Sequence, residues 1–171
     1  RALCREFYIE RLSPALGRPG PLAILGRARS LGILQALVSN GEAEVVRANL
    51  DVLGIADLFD CVVTADDCAV GKPDPAPYRM ACAHLGLPPE ACLAVEDSPT
   101  GLASATAAGL VAAAWPCDPN AAQGLSFAHH LIMSAEDFPW RLFGLQSAAP
   151  HIATPTGTAR RDAIGTNNKE N

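Results

Sequence analysis

A short apolar run, Leu93 to Val95, ends in two adjacent acids, Glu96 and Asp97, and a helix start follows at once. Ser98 is placed to cap that helix, Pro99 to open it, and an apolar-periodic stretch continues to Ala108. Two carboxylates at the carboxyl end of a buried strand, beside a helix N-terminus, stand where open α/β sheets bind ligands. Acids in such positions also serve as plain helix caps. As hard oxygen donors, however, they suit Mg²⁺, which usually takes one or two carboxylates together with phosphate and water. The chemistry indicated is phosphate handling.

Two further stretches point the same way. Gly32 to Val38 reads as a buried strand that ends in Ser39-Asn40, ahead of a helical pattern from about Glu42 to Leu53 closed by Gly54. A hydroxyl next to the first backbone N–H groups of that helix makes an anion pocket. Phe59 to Ala65 is a third apolar run, followed by a loop from Asp66 to Asp74 that contains Gly71-Lys72-Pro73-Asp74-Pro75. Asp74 can cap the next helix and Pro75 can start it, so the ammonium of Lys72 is presented at the turn. A point cation there neutralises a phosphoryl group or keeps a nucleophilic carboxylate ionised. Taken singly, Ser39 is an ordinary cap and Lys72 a solvated loop lysine. Their succession, each after a strand, is what carries the inference.

The elements that must hold these residues alternate. A helix over about 22–31 precedes a strand over 33–38, and a strand over 59–64 leads to a helix over 76–85. A strand over 92–95 then leads to a helix over 99–108. Leu110 to Ala114 is a further short strand and Leu131 to Met133 a marginal last one. Repeated β-α-β with short glycine-marked turns predicts an α/β fold: a Rossmann-like parallel sheet with helices on both faces and right-handed crossovers. The residues from 147 to 171 are rich in Pro, Thr, Gly and polar side chains and read as a disordered tail.

Composition narrows the partners. The chain has 171 residues, enough for one domain with a real core, and a formal net charge of −5, which argues against a nucleic-acid surface. No apolar run approaches the roughly 20 residues of a membrane helix, and no signal peptide opens the sequence. The six cysteines form no Cys-x-x-Cys pair and read as reduced, buried small hydrophobes of a cytoplasmic protein. The four histidines are scattered, and none reads as a metal ligand or base.

In these motifs the sequence resembles the haloacid dehalogenase-like hydrolases, in the branch of phosphoglycolate phosphatase and β-phosphoglucomutase. Val38-Ser39-Asn40 matches that family's second motif, and Gly71 to Pro75 match its third. Glu96 to Gly101 look like the fourth, with Ala107-Ala108-Gly109 continuing it. Pro19-Gly20 is similar to the family's re-entry from cap to core. The likeness spans about residues 19 to 116. The first motif, an Asp-x-Asp strand carrying the nucleophile and the acid/base, does not occur; Asp162-Ala163-Ile164-Gly165-Thr166 is a faint echo without its strand.

The resemblance implies residues 1–18 as the end of a helical cap domain and 19–146 as the core. On this reading the core lacks its first central strand and most of the cap, so the sequence is the carboxyl-terminal piece of a longer enzyme. The implied activity is a Mg²⁺-dependent phosphatase of small phosphomonoesters, sugar phosphates or phosphoglycolate, acting through an aspartyl-phosphate. Ser39, with the backbone N–H of Asn40, would bind phosphoryl oxygens, and Lys72 would offset charge on nucleophile and phosphate. Asp97, with Glu96, would hold the metal directly or through water. The implied partner is a small phosphorylated metabolite, with no nucleic acid and no membrane, and a monomer is expected for the full-length enzyme. A sugar phosphomutase of the same family and a non-catalytic remnant are the rival readings.

Overall fold

In the computed structural model, residues 2–145 are described, with side chains from Arg5 onward. The tail expected over 147–171, the echo at Asp162 included, lies outside the described residues. Among the described residues five α-helices and five strands follow one another: α1 (Ala2–Ile9), α2 (Pro19–Ser30), β1 (Ala36–Val38), α3 (Ala43–Leu53), β2 (Cys61–Val63), α4 (Ala76–Leu85), β3 (Leu93–Glu96), α5 (Pro99–Ala108), β4 (Val111–Ala114) and β5 (His130–Leu131). Single-turn helices fill most of the connections.

Local chemistry sets the helix ends. Ser98 Oγ accepts the N–H of Gly101, Pro99 opens α5, and Gly54 closes α3 in a left-handed conformation at φ +63°. Asp74 accepts the Ala76 N–H, while Pro75, still helical in φ and ψ, stands just outside α4 instead of starting it.

All strand pairings are parallel, and they fall into two separate sheets. β1 pairs with β2, Ala36 opposite Cys61, and β3 pairs with β4 and β4 with β5, Leu93 opposite Val111. No ladder joins β1 to β3. Parallel strands flanked by helices make this a Rossmann-like arrangement, and among the described residues no strand lies between β1 and β3.

Helices cover both faces. Along β4, Ala112 and Ala114 enter a cluster with Tyr78, Leu102 and Ala105, whereas Ala113 enters one with Ile24, Trp115, Ile132 and Trp140. The alternation is the two-residue period of a strand buried on both sides. The terminal helix α1 lies against α3, held by Arg5 to Glu42 and Glu44 at 3.1 Å each and by Tyr8 to Asn49.

Leu102 is fully buried at the centre of the α4–α5 cluster. Leu102→Ala is expected to lower the unfolding free energy by about 2–5 kcal/mol, read from the urea midpoint at unchanged slope. A loss under about 0.5 kcal/mol, the usual size of a surface substitution, would mean that this cluster is not a packed core.

Candidate functional site

Ser39, Lys72, Glu96 and Asp97 come together where the carboxyl ends of β1 and β3 face each other. Lys72 joins the two sides. Its Nζ donates to the Val38 carbonyl at 3.1 Å and to Glu96 Oε1 at 2.6 Å, with side-chain exposures of 12% for Lys72 and 8% for Glu96. It also lies 5.8 Å from the ring centre of Tyr78. An ammonium so enclosed is a directed charge rather than a solvated loop cation.

The loop that carries Lys72 is clasped to the end of β1. The Asn40 side chain accepts the Lys72 N–H at 2.8 Å and donates to the Lys72 carbonyl at 2.9 Å. Gly71 makes this possible, since a Cβ there would meet Asn40 Oδ1 at 2.7 Å. Ser39 Oγ turns back to accept the Gly41 N–H at 3.0 Å. The helix expected to complete an anion pocket begins later, at Ala43, and that residue's N–H is given to Asp66 Oδ2 at 2.9 Å. The pocket expected from Ser39 and the first N–H of α3 is therefore not formed, because that N–H is taken by Asp66.

The two acids have different surroundings. Glu96 is buried, takes the Lys72 ion pair and the Tyr78 hydroxyl on Oε1, and presses Oε2 against Gly101, where a Cβ would sit at 1.9 Å. The same contacts push the Tyr78 hydroxyl far above its usual range, through burial first and then the Glu96 charge. Asp97 is exposed, and its Oδ2 accepts the Cys117 thiol at 3.2 Å. That hydrogen bond, then burial, raises the Cys117 thiol above its ordinary range and keeps it protonated. Arg18 lies on the same side, its guanidinium donating to Cys117 Sγ at 3.4 Å and to the Pro116 carbonyl at 3.1 Å.

The oxygen donors at Glu96 and Asp97 fit Mg²⁺, but they fit it as a partial set. Among the described residues no group of three or more His, Cys, Asp or Glu could enclose an ion. A Mg²⁺ held there would need further oxygen donors from phosphate and water.

Three participants escaped the sequence reading: Tyr78, Gly101 in its role against Glu96, and Cys117. Tyr78 is the only Phe, Tyr or Trp residue of α4, by itself a weak signal. The five cysteines whose side chains are described are free thiols, yet among them only Cys82 is buried, and Cys117 is exposed where burial was expected.

A family profile described as haloacid dehalogenase-like hydrolase matches residues 4–109, more than half of the chain. The chain belongs to the haloacid dehalogenase-like hydrolases. Protein CbbY of Rhodobacter capsulatus is 36% identical over 138 residues, 77% of this chain and 55% of CbbY. A phosphoglycolate phosphatase of Rhodospirillum rubrum is 44% identical over 92 residues, 54% of this chain and 38% of that protein. The crystal structure of β-phosphoglucomutase from Clostridium difficile superposes with a TM-score of 0.69 at 23% identity, covering 80% of this chain and 59% of that one, which establishes the shared fold. The chain thus spans about half the length of these relatives. This family's phosphatases and phosphomutases act on small phosphorylated substrates, and no helix among the described residues is long and apolar enough to cross a membrane.

Proposed function

We propose that this chain carries the phosphate- and Mg²⁺-handling half of a phosphatase active on small phosphomonoesters, of the phosphoglycolate or sugar phosphate type. The observation that carries the reading is the position of one enclosed ammonium. Lys72 touches the end of β1 and Glu96 on β3 at once, in the same cavity that Ser39 and the exposed Asp97 line.

The nucleophile is a carboxylate on a segment other than these 171 residues. Its oxygen attacks phosphorus while the second Asp of the same motif gives the leaving alcohol its proton, and that Asp then takes a proton from the water that releases phosphate from the aspartyl-phosphate. Ser39 and the Asn40 N–H orient the phosphoryl oxygens, and Lys72 balances charge as it builds. Asp97, exposed and free of an ion pair, would hold the metal, with Glu96, already engaged by Lys72 and Tyr78, supporting it. Bound Mg²⁺ would supply Lewis-acid stabilisation of the phosphoryl charge.

Phosphate release from glycolate phosphate and a set of sugar phosphates, with and without EDTA, tests this. The 171-residue chain is expected to give no turnover. A form extended to include an Asp-x-Asp strand is expected to turn over only with Mg²⁺, and Asp97→Asn is expected to weaken rate and metal dependence together. Turnover in EDTA would refute the mechanism. Conversion of a sugar phosphate without phosphate release would assign a mutase instead.

A further inference from the structure

Helix α5 carries a polar side chain that the reaction proposed above does not use. Ser104 is fully buried, as are Leu102 and Ala105 on the same helix. Its two neighbours along the chain are alanines, and alanine would suit position 104 better on local grounds. Serine is a poorer helix former than alanine, and a hydroxyl withdrawn from water is destabilising unless it finds a partner. A serine inside a helix commonly points to solvent or bonds back to a carbonyl one turn earlier. Ser104 crosses to another element instead: its hydroxyl donates to the Asp74 carbonyl at 2.5 Å.

Asp74 closes the turn that carries Lys72. Its N–H goes back to the Gly71 carbonyl at 3.1 Å, and its side chain accepts the Ala76 N–H at 2.8 Å. On the far side of the turn, the Asn40 side chain holds both backbone groups of Lys72. The turn is therefore fastened twice, by Asn40 from the end of β1 and by Ser104 from α5. Asn40 alone would tie it to β1. Ser104 ties it also to the helix that follows Glu96 and Asp97.

Helical spacing gives this second tie its weight. Gly101 and Ser104 are three residues apart and share one face of α5. Gly101 lies against Glu96 Oε2 with no room for a Cβ. One face of one helix thus places Glu96 through Gly101 and the Lys72 turn through Ser104. The two groups so placed are the partners of the 2.6 Å ion pair. An ammonium has three N–H groups. Val38 and Glu96 take two of them, so the direction of the third follows from where the turn and Glu96 are held.

We infer that Ser104 is a positioning residue for Lys72: by tying the Gly71–Asp74 turn to α5, its hydroxyl aims the third N–H of the ammonium at the phosphoryl group. The tie stands on the hydrogen bonds; the aim rests on the reaction proposed above. Without Ser104 Oγ the Asp74 carbonyl loses its buried donor and turns toward water, as an orphaned acceptor does. Lys72, two residues back, moves with it. A displacement of about 1 Å at a group that acts in the transition state lowers a rate by roughly a hundredfold.

The tie is tested in the 171-residue chain with Ser104→Ala, which removes one oxygen and leaves a better helix former. Hydrogen exchange is read at the Lys72 and Asp74 amides, and the Lys72 ammonium is labelled with acetic anhydride. Both amides are expected to exchange about tenfold faster, as for a local opening, and Lys72 to label faster, while the Leu102 and Ala105 amides keep their rates. Ser104→Cys, whose thiol donates weakly, should restore part of the protection. Thr106→Ala removes an exposed hydroxyl from the same helix and should change neither readout. The aim is tested in a form that also carries a nucleophilic strand. There Ser104→Ala should lower kcat by about ten- to a hundredfold and change KM by about twofold at most, with Ser104→Cys in between.

Exchange that rises equally throughout α5 and the turn would make Ser104 a packing residue and overturn the inference. So would unchanged exchange and labelling at Lys72, or no recovery in Ser104→Cys. An unchanged kcat in a form that Lys72→Ala inactivates would overturn the aim. A fully active Lys72→Ala would instead sink the proposed reaction, and exchange and labelling would still decide whether Ser104 holds the turn. Should Ser104→Ala melt too low to study, Ser104→Cys against the parent must show the same local pattern at smaller amplitude, and its absence would overturn the tie.

Discussion

Lys72→Ala, made in a form of the protein that also carries a nucleophilic strand, is expected to lower phosphate release by about a hundred- to a thousandfold, the usual cost of one transition-state charge contact. The enclosure of the ammonium makes the effect large. Its Nζ is fixed by the Val38 carbonyl and Glu96 Oε1, and water cannot occupy that position without exposing a buried carboxylate. Glu96→Gln is the informative companion. It keeps an acceptor for Lys72 and for the Tyr78 hydroxyl while removing the charge, so a folded Glu96→Gln protein should retain more activity than Lys72→Ala. Circular dichroism on both variants separates loss of fold from loss of rate. Lys72→Ala at full activity would remove the ammonium from the mechanism.

The second large effect falls on a residue with no side chain. Gly101→Ala would place a Cβ 1.9 Å from Glu96 Oε2 and 2.1 Å from its Cδ. A free carboxylate would swing aside, but this one is pinned by Lys72 and Tyr78. Displacing it leaves an ammonium without its partner and a buried hydroxyl without its acceptor. The expected loss is about 3–5 kcal/mol, the range for breaking a buried ion pair, measured by urea unfolding. Thr100→Ala, one position earlier and exposed, is the control and should stay within about 0.5 kcal/mol of the parent. If the two variants unfold alike, Glu96 is not held as described.

The sequence and the structure agree best where a residue's conformation depends on its immediate neighbours. The helices over 76–85 and 99–108 have the bounds that their caps predicted, because Asp74, Ser98 and the glycines at 86 and 109 act within a few residues. Strands fared less well. The runs over 33–38 and 59–64 shrink to Ala36–Val38 and Cys61–Val63, since a strand ends where its partner does and β1 is paired on one edge alone. The last strand, expected at Leu131 to Met133, lies at His130–Leu131, set by β4 and not by its own hydrophobicity.

The gathering of Ser39, Lys72, Glu96 and Asp97 was legible because Ser39, Glu96 and Asp97 stand at strand ends, Lys72 lies in the loop that follows one, and parallel strands put those ends on one side. The pairing of Glu96 with Lys72 and Tyr78 was not. It depends on how α4 lies against β3, which no local pattern in either segment states. The clasp of Asn40 on the Lys72 backbone was hidden for the same reason, with 32 residues between the partners.

That clasp and the division into two sheets have a joint consequence for how the site is controlled. Asn40 ties the Lys72 loop to the end of β1, so Ser39, Asn40 and Lys72 travel together on the two-stranded sheet. Glu96 and Asp97 ride on the three-stranded sheet. The residues proposed to bind the anion and those proposed to hold the metal thus stand on two plates joined through the Lys72–Glu96 ion pair, and the spacing of the plates would set the distance between phosphate and cation. In such an arrangement the reactive geometry is not a property of either plate, and substitutions that leave every site side chain in place could still detune it by shifting one plate against the other.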